Sequence, residues 1–189
     1  MTSRHRFHFV LLCGVLLLPG VATNATTLVR MSLEKMSQTA QVIVRGRCLE
    51  NSTSWDAGEI WTFTSFEVQE VWRGHASARI VVRLLGGRFG NLTSSVSGIP
   101  RFRPGEEVVL FLEPAGRSDF SVVSWQQGSF RIRRDASSGQ ERVTQDTASF
   151  STFDPVTRQF ETSGIRTLSI DTFRAQIDAA LRAEAGRKQ

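Results

Sequence analysis

The sequence predicts a mainly β fold, a small barrel or sandwich of five to six strands with a helix at each end. Two observations lead to this prediction. Short segments of alternating apolar and polar residues recur between turn signals along the middle of the chain. Apolar residues at helical spacing follow possible cap residues at Ser32 and again at Ser169.

The first 25 residues have the plan of a cleavable signal peptide. Arg4 and Arg6 give a cationic start, and an apolar run of about ten residues follows from Phe9 to Leu18. The run is too short for a membrane anchor, which needs about 20 apolar residues. We predict cleavage after Ala25, with Ala22 as the second choice. The mature protein would then be exported, with no stable membrane insertion.

The remaining chain has the size and composition of one globular domain. Hydrophobic residues make up 40% of the 189 residues and charged residues 22%, which is ordinary for a folded protein. We assign residues 26–189 to a single domain, with a barrel core over 32–133 and a C-terminal hairpin and helix over 134–185. The formal charge of +5 includes two arginines of the signal peptide, and the other basic residues are scattered along the chain. This distribution does not favour nucleic-acid binding.

The individual elements follow from periodicity and turn residues. Ser32 can cap a short amphipathic helix, and Ser169 or Asp171 can cap a longer one near the C-terminus. Turn residues at 51–53 end the first long strand, and those at 154–155 mark a hairpin. The predictions are helices over 32–40 and from 170 onward, strands over 42–49, 60–72, 79–85, 108–112, 120–125 and 129–133, and a hairpin between Phe153 and Phe160.

Alternate residues of three strands are expected to share one core. Cys48 lies in the same alternating pattern as the first of these strands, and it is the one cysteine left after cleavage, so it has no partner for a disulfide within the chain. We interpret it as a small buried residue rather than a reactive thiol. The six residues predicted to share the core are Val42, Val44, Ile80, Val82, Val109 and Phe111.

Three segments carry a resemblance to a known family. They are Ala40–Arg47, Phe66–Gly74 and Pro104–Leu112, which follow a short helix in this order. In these segments the chain resembles the netrin-type modules of tissue inhibitors of metalloproteinases, and also uncharacterised exported bacterial proteins of the same arrangement. Those inhibitors chelate the protease zinc through an amino-terminal cysteine and contain several disulfides. Cleavage after Ala25 would leave Thr26 at the terminus, so that route of inhibition is not carried over.

The resemblance refines the predicted fold class. It implies an OB-like barrel with helices packed against it. The fold class is therefore predicted as mainly β, a five- to six-stranded OB-like barrel with a short N-terminal helix and a C-terminal helix packed against it.

The sequence contains no constellation typical of an enzyme. After cleavage His75 is the one histidine, and it lies in an apparent turn, so a Ser-His-Asp arrangement has no suitable base. Residues 87–90 are rich in glycine but lack the Lys-Ser/Thr pair and the helix of a phosphate-binding loop. Glu106 and Glu107 fit a solvated turn, with no further metal ligand near in sequence. We predict no catalysis, no cofactor and no metal.

A long segment without periodicity, residues 86–103, is the candidate binding site. Loops of this length inside compact domains often carry function. Arg88, Phe89, Arg101 and Phe102 are the candidate binding residues, because arginine and aromatic side chains tend to anchor interfaces. The alternative is a plain connection whose phenylalanines pack into the end of the barrel.

Two functions from different classes follow from these observations. The first is an exported, noncatalytic binding or envelope-associated module, secreted or periplasmic, that meets a protein or carbohydrate partner. The second is an extracellular protease inhibitor that uses the same segment or its amino terminus as a wedge. The four tryptophans would offer a stacking surface for glycans or single-stranded nucleic acid, although we expect most of them in the core. Export makes nucleic acid a poor partner.

Overall fold

The structure is a computed structural model that describes residues 28–116, 118–145, 152–161, 164–165 and 167–187. The predicted signal peptide and its cleavage site lie outside these residues. The described chain is mainly β and contains two α-helices, as predicted. Its elements in chain order are β1 (Leu28–Val29), α1 (Leu33–Thr39), β2 (Val42–Asp56), β3 (Glu59–Arg73), β4 (Arg79–Leu85), β5 (Gly87–Phe89), β6 (Leu92–Ser94), β7 (Glu107–Ala115), β8 (Asp119–Val122), a 3-10 helix (Trp125–Gly128), β9 (Ser129–Arg134), β10 (Glu141–Gln145), β11 (Thr152–Asp154), β12 (Gln159–Glu161), β13 (Leu168–Ser169) and α2 (Ile170–Arg187).

The two longest strands form a hairpin. β2 and β3 have 15 residues each and pair antiparallel, with irregularities that bend the pair. The turn predicted at 51–53 is wrong, because these residues pair with 62–64 of β3. The chain turns instead at Ala57 and Gly58, where φ is +50° and +86°, as a two-residue hairpin turn requires. Pairing with a long partner strand overrides the weak strand preference of Asn and Ser.

Five strands close into a ring. Their order is β2, β3, β4, β8 and β7, and β7 pairs back to β2. Neighbours in the ring are antiparallel except β4 and β8, which run parallel and meet at one residue pair, Val82 and Phe120. β7 also pairs with β9, which continues the sheet through β10 to β13. The sheet therefore has an enclosed face and an outer face.

Each face of the sheet has its own apolar cluster. The enclosed cluster draws residues from all five strands of the ring, whereas the outer cluster lies between the sheet and the two helices. The buried members of the enclosed cluster are Val42, Val44, Cys48, Phe66, Ile80, Val82, Leu84, Phe102, Val108, Leu110, Leu112 and Val122. Those of the outer cluster are Met36, Ala40, Ile43, Val109, Phe111, Val123, Phe130, Val143, Phe173 and Ile177.

The prediction of one shared core is wrong for two of its six residues. Val109 and Phe111 lie in the outer cluster, while the other four lie inside the ring. Residues Val108–Leu112 are all apolar and fully buried, so periodicity cannot tell which face of β7 is enclosed. The register of β7 against β2 shows which face is enclosed. Leu110 pairs with Val44, and directly paired residues share a face of the sheet.

Both helices begin at the predicted serine caps and pack on the outer cluster. The Oγ of Ser32 accepts a hydrogen bond from the backbone N–H of Lys35 at 3.1 Å. In the same way, the Oγ of Ser169 accepts a hydrogen bond from the backbone N–H of Thr172 at 3.1 Å. α2 inserts Phe173, which is fully buried, between the sheet and α1. Within the described ranges, no helix has both the length and the apolar character needed to cross a bilayer.

The remaining predicted elements hold with one exception. The strand predicted at 79–85 is confirmed, the one at 129–133 continues by one residue, and the hairpin between Phe153 and Phe160 is formed by β11 and β12. The strand predicted over 120–125 ends at Val122. Ser124 and Trp125 have φ of +52° and +57°, which breaks the extended backbone before the 3-10 helix.

Candidate functional site

The segment predicted as a long loop, residues 86–103, contains a small hairpin. β5 and β6 pair over three residues each, on either side of Gly90-Asn91. A Cβ on Gly87 would lie 2.5 Å from Thr62 Oγ1 and 3.0 Å from Thr53 Cγ2, so glycine lets β5 lie directly on the β2–β3 hairpin. Strands of three residues have no period that sequence analysis could detect.

Hydrogen bonds fix the start of β5. The Oγ1 of Thr53 donates to the carbonyl oxygen of Arg88 at 2.8 Å, and the Oγ1 of Thr62 donates to that of Gly86 at 2.6 Å. Both threonines belong to the β2–β3 hairpin. The backbone at Arg88, the first predicted site residue, is therefore held by two strands of the ring.

Asn51 holds the other end of the segment. Its Nδ2 donates to the carbonyl oxygen of Phe102 at 2.9 Å, and its Oδ1 accepts a hydrogen bond from Thr64 Oγ1 at 2.6 Å. Thr64 is fully buried, so this bond satisfies a polar group inside the ring. The ring is thus polar at this end, although most of its interior is apolar.

A cleft of about 200 Å³ opens between the segment and the polar end of the ring. Three of the four predicted site residues line it, namely Arg88, Arg101 and Phe102. The rest of its polar lining is Asn51, Thr53, Thr62 and Thr64. The structure therefore brings together residues that lie up to 51 positions apart in the sequence.

The two arginines at the cleft have no acidic partner among the described residues. Arg88 Nε donates to the carbonyl oxygen of Gly90, and Arg101 Nη2 donates to that of Ser94, each over a long 3.4 Å. Both arginines are exposed. Their guanidinium groups therefore keep most of their donors available for an external acceptor.

The arginines of β2 are engaged differently. Arg45 donates to Glu107 and to Glu141 at 2.9 Å, and Arg47 donates to Glu107 at 2.7 Å. Hydrogen bonds from Arg47 and Arg45 lower the pKa of Glu107 to about 2. These charges satisfy one another on the outer surface of the sheet, so this cluster is structural.

The two predicted phenylalanines lie in different environments. Phe89 is 44% exposed, whereas Phe102 is 5% exposed and belongs to the enclosed cluster. Phe102 packs edge to face on Phe66, with the ring centroids 5.1 Å apart. The side chain of Phe102 thus packs into the end of the ring, as in the alternative interpretation, and also lines the cleft.

Two further exposed apolar residues belong to this region: Trp55, one of the four tryptophans considered as a stacking surface, and Leu92, which the sequence did not single out. Trp55 is 47% exposed and lies two residues beyond Thr53, and Leu92 is 54% exposed. Leu92 pairs with Phe89 across β5 and β6, so their side chains share a face. The other three tryptophans are half-buried, so the expectation of buried tryptophans is met only in part.

Cys48 and His75, which lie outside the candidate site, differ in burial. Burial raises the pKa of the Cys48 thiol to about 11, with a smaller effect from the charge of Glu106, so the thiol is protonated at neutral pH. His75 is exposed after the end of β3. Among the residues that the structure describes, no group of three or more His, Cys, Asp or Glu side chains could hold a metal ion.

A larger cleft, of about 820 Å³, lies between the N-terminal segment, the 3-10 helix and the turn between β11 and β12. Gln145, Thr152 and Gly164 in its lining each adjoin, in sequence, residues outside the described ranges. Neither Arg88 nor Arg101 lines this cleft.

The candidate site consists of the cleft arginines Arg88 and Arg101 together with the exposed Trp55, Phe89 and Leu92, and we call it the hairpin site. No protein-family model matches the chain, and no curated protein is significantly similar to it. The chemistry of the hairpin site is therefore inferred from the residues that form it. It combines two available cations, a cleft lined by hydroxyl groups and an exposed apolar surface.

Proposed function

We propose that this protein is an exported, noncatalytic binding module whose hairpin site holds an acidic group of a partner outside the cytoplasm. The observation that carries the proposal is the pair of exposed guanidinium groups, Arg88 and Arg101, beside one cleft and without a carboxylate partner among the described residues. A carboxylate or sulfate there would accept charge-assisted hydrogen bonds, which are about twice as strong as neutral ones.

The order of the strands supports an OB-like barrel as the scaffold of this module. Numbered along the chain, the five strands of the ring lie in the order first, second, third, fifth and fourth, and the third and fifth are parallel. A partly open barrel of five strands is the architecture expected of an OB-like module. The resemblance to netrin-type modules points to the same scaffold. Because one fold hosts many functions, the proposed activity depends on the hairpin site and not on the fold.

An acidic carbohydrate fits the chemistry of the hairpin site. The oxygens of Thr53 and Thr62 donate to backbone carbonyls and keep lone pairs that can accept from sugar hydroxyl groups. Trp55 and Phe89 offer flat apolar surfaces of the kind on which a sugar ring packs. An acidic protein segment would use the same two arginines, with less use of the threonines.

Titration with acidic polymers tests the proposal. The purified protein is titrated by calorimetry with polygalacturonate and with poly-L-glutamate, and neutral dextran serves as the control ligand. The double variant Arg88→Gln/Arg101→Gln should bind at least about tenfold more weakly, because each charge-assisted hydrogen bond contributes about 1.5–3 kcal/mol. Tighter binding of one polymer identifies the class of partner. Failure to bind either polymer contradicts the proposal.

A matched variant separates specific from general charge attraction. Arg133 and Arg142 are exposed on β9 and β10 and form no ion pair with a described residue. Arg133→Gln/Arg142→Gln removes the same charge and should leave binding close to that of the parent protein. An equal loss in both double variants would mean that net charge, and not the hairpin site, attracts the polymers.

An extracellular protease inhibitor is the second candidate function, and one observation favours it. Phe89 and Leu92 are exposed on either side of a two-residue turn, so the hairpin presents an apolar tip that could enter a substrate pocket. Incubation of the protein with a panel of metalloproteases and serine proteases separates the two functions. An inhibitor lowers turnover at stoichiometric amounts, whereas a binding module leaves turnover unchanged.

A further inference from the structure

A second cavity lies where the ring of strands is joined most weakly. β4 and β8 meet at one residue pair, Val82 and Phe120, and beyond that pair the cavity opens with a volume of about 210 Å³. Its walls are mostly apolar, and the residues that matter for its chemistry are Trp61, Arg83, Leu85, Ile99 and Trp125.

The chain between β8 and β9 brings Trp125 to this cavity. Ser124 and Trp125 both have positive φ, +52° and +57°, which non-glycine residues adopt at a cost. The backbone N–H of Gln126 donates to the carbonyl oxygen of Gly98 at 2.8 Å and ties this turn to the segment that carries Ile99. Two segments from different parts of the chain therefore form one wall of the cavity.

Arg83 is the charged group in the lining. Its Cζ lies 4.0 Å from the centroid of the Trp61 ring, so the guanidinium stacks on the indole. Its Nε is buried and has no hydrogen-bond partner, and within the described part of the chain Arg83 forms no ion pair. Arg83 as a whole is half-buried, so the cost falls on its Nε, a buried donor without an acceptor. The guanidinium is thus held on the indole with no anion of a described residue paired to it.

We propose that this cavity binds the carboxylate of a small apolar acid. The carboxylate supplies a negative charge to the Arg83 guanidinium, which forms no ion pair with a described residue, and the apolar body packs against Trp61, Trp125 and Leu85. A cavity of about 150 Å³ with apolar walls accepts benzene. The volume here, about 210 Å³, has room for one ring with a short acid chain.

Two sources can present this chemistry. One is a free aromatic or branched aliphatic acid, and the other is the C-terminal residue of a polypeptide with an apolar side chain. Leu84 and Pro100 line both this cavity and the cleft of the hairpin site, so the two are neighbours with different charged residues. The inference does not depend on the proposed function.

Binding of matched acids and amides to the purified protein tests the inference. Phenylacetate represents the free acid and N-acetylglycyl-phenylalanine the C-terminal residue, and each is compared with its amide by calorimetric titration. We expect saturable binding of at least one acid and binding of its amide at least about tenfold weaker, because the amide loses the charge-assisted pair. Saturable binding of only one acid identifies the source. Equal binding of acid and amide, or no saturable binding of either acid, overturns the inference.

Three variants test whether the acids bind in the cavity beside Arg83. Arg83→Gln should reduce the preference for acid over amide to about one, whereas Arg79→Gln, an exposed arginine four residues earlier on the same face of β4, should keep it. Arg88→Gln/Arg101→Gln should bind the acids as the parent does. A preference that survives Arg83→Gln, or that is lost with the Arg88 and Arg101 pair instead, overturns the assignment to this cavity. The comparison of acid with amide on the parent protein stands even if Arg83→Gln does not fold.

Discussion

At the level of single residues, two pairs of arginines differ in their partners. Arg45 and Arg47 meet carboxylates at 2.7–2.9 Å and lock neighbouring strands together. Arg88 and Arg101 lie beside a cleft with no carboxylate of a described residue near enough to pair. The first pair stabilises contacts between strands and the second pair belongs to the proposed binding site, so the two pairs can be tested separately.

Stability is predicted to depend on the ionisation of Glu107. Hydrogen bonds from Arg47 and Arg45 lower its pKa from the usual 4.5 to about 2 in the folded protein. Because the folded pKa lies below the unfolded one, the stabilising contribution is complete above about pH 5 and is lost as the pH falls toward 2. Urea unfolding from neutral to acidic pH should show this decline, and Glu107→Gln should make it shallower.

A control separates this effect from general acid unfolding. Glu59 is exposed at the start of β3 and forms no ion pair with a described residue, so Glu59→Gln should keep the decline of the parent protein. A profile for Glu107→Gln that runs parallel to the parent profile would mean that the ion pairs of Glu107 do not stabilise the fold.

The two phenylalanines of the segment should respond differently to truncation. Phe102→Ala removes an aromatic side chain that packs on Phe66 in the enclosed cluster. It should lower the free energy of unfolding by about 3–5 kcal/mol. Phe89→Ala changes an exposed side chain and should cost about 0.5 kcal/mol or less. Urea unfolding of both variants measures the difference. Similar costs for the two would contradict their placement.

At the level of elements, the 3-10 helix depends on a close backbone approach. A Cβ on Gly128 would overlap the carbonyl oxygen of Val123, which belongs to the outer cluster. Gly128→Ala should therefore destabilise the protein by about 1–3 kcal/mol. Gly186→Ala in α2, where a Cβ meets no atom within 4 Å, should leave the stability unchanged or slightly raised. Thermal unfolding of both variants checks this, and equal stability of the two would refute the close approach.

The sequence predicted elements well where periodicity and caps act together. The cap at Ser32 and the alternation of 79–85 gave α1 and β4 nearly to the residue. Prediction from the sequence failed where pairing with a distant strand determines the structure that a segment adopts. Residues 51–53 look like a turn but pair with β3, and the all-apolar run of β7 has no polar residue to tell its two faces apart.

The candidate site could be predicted only in part for the same reason. Arg88, Phe89 and Arg101 were found because arginine and aromatic residues in a non-periodic segment indicate an interface. Asn51 was missed because it was assigned to a turn, and Thr62 and Thr64 were missed because polar residues in a strand are normally assigned to the solvent face. Here the fold turns them toward the end of the ring, where hydrogen bonds satisfy Asn51 and Thr64.

At the level of the whole molecule, a closed ring carries two layers of apolar contact. One cluster is enclosed by the five strands, and the other is covered by the helices. The polar end of the ring is not covered by a helix but by the segment 86–103. Phe102 of this segment belongs to the enclosed cluster, whereas Arg88, Phe89 and Leu92 belong to neither cluster.

The proposed export concerns the whole chain and can be tested on its own. The protein produced in its own cell should appear outside the cytoplasm with Thr26 at its amino terminus, or with Thr23 if cleavage follows Ala22. Edman degradation or mass spectrometry of the extracellular and periplasmic fractions measures the terminus. A chain found with Met1 intact in the membrane fraction would contradict both the cleavage and the proposed location.

The central claim, that the hairpin site is the binding surface, is tested most directly by mapping the bound probe on the labelled protein. Two-dimensional ¹H–¹⁵N NMR is recorded during titration with the acidic polymer that binds more tightly, used as short oligomers. If the polymer binds at the hairpin site, the changes in amide chemical shift will concentrate at residues 51–55, 62–64, 86–94 and Arg101. Shifts confined to α2 or to β9 and β10, with the hairpin site unchanged, would contradict it.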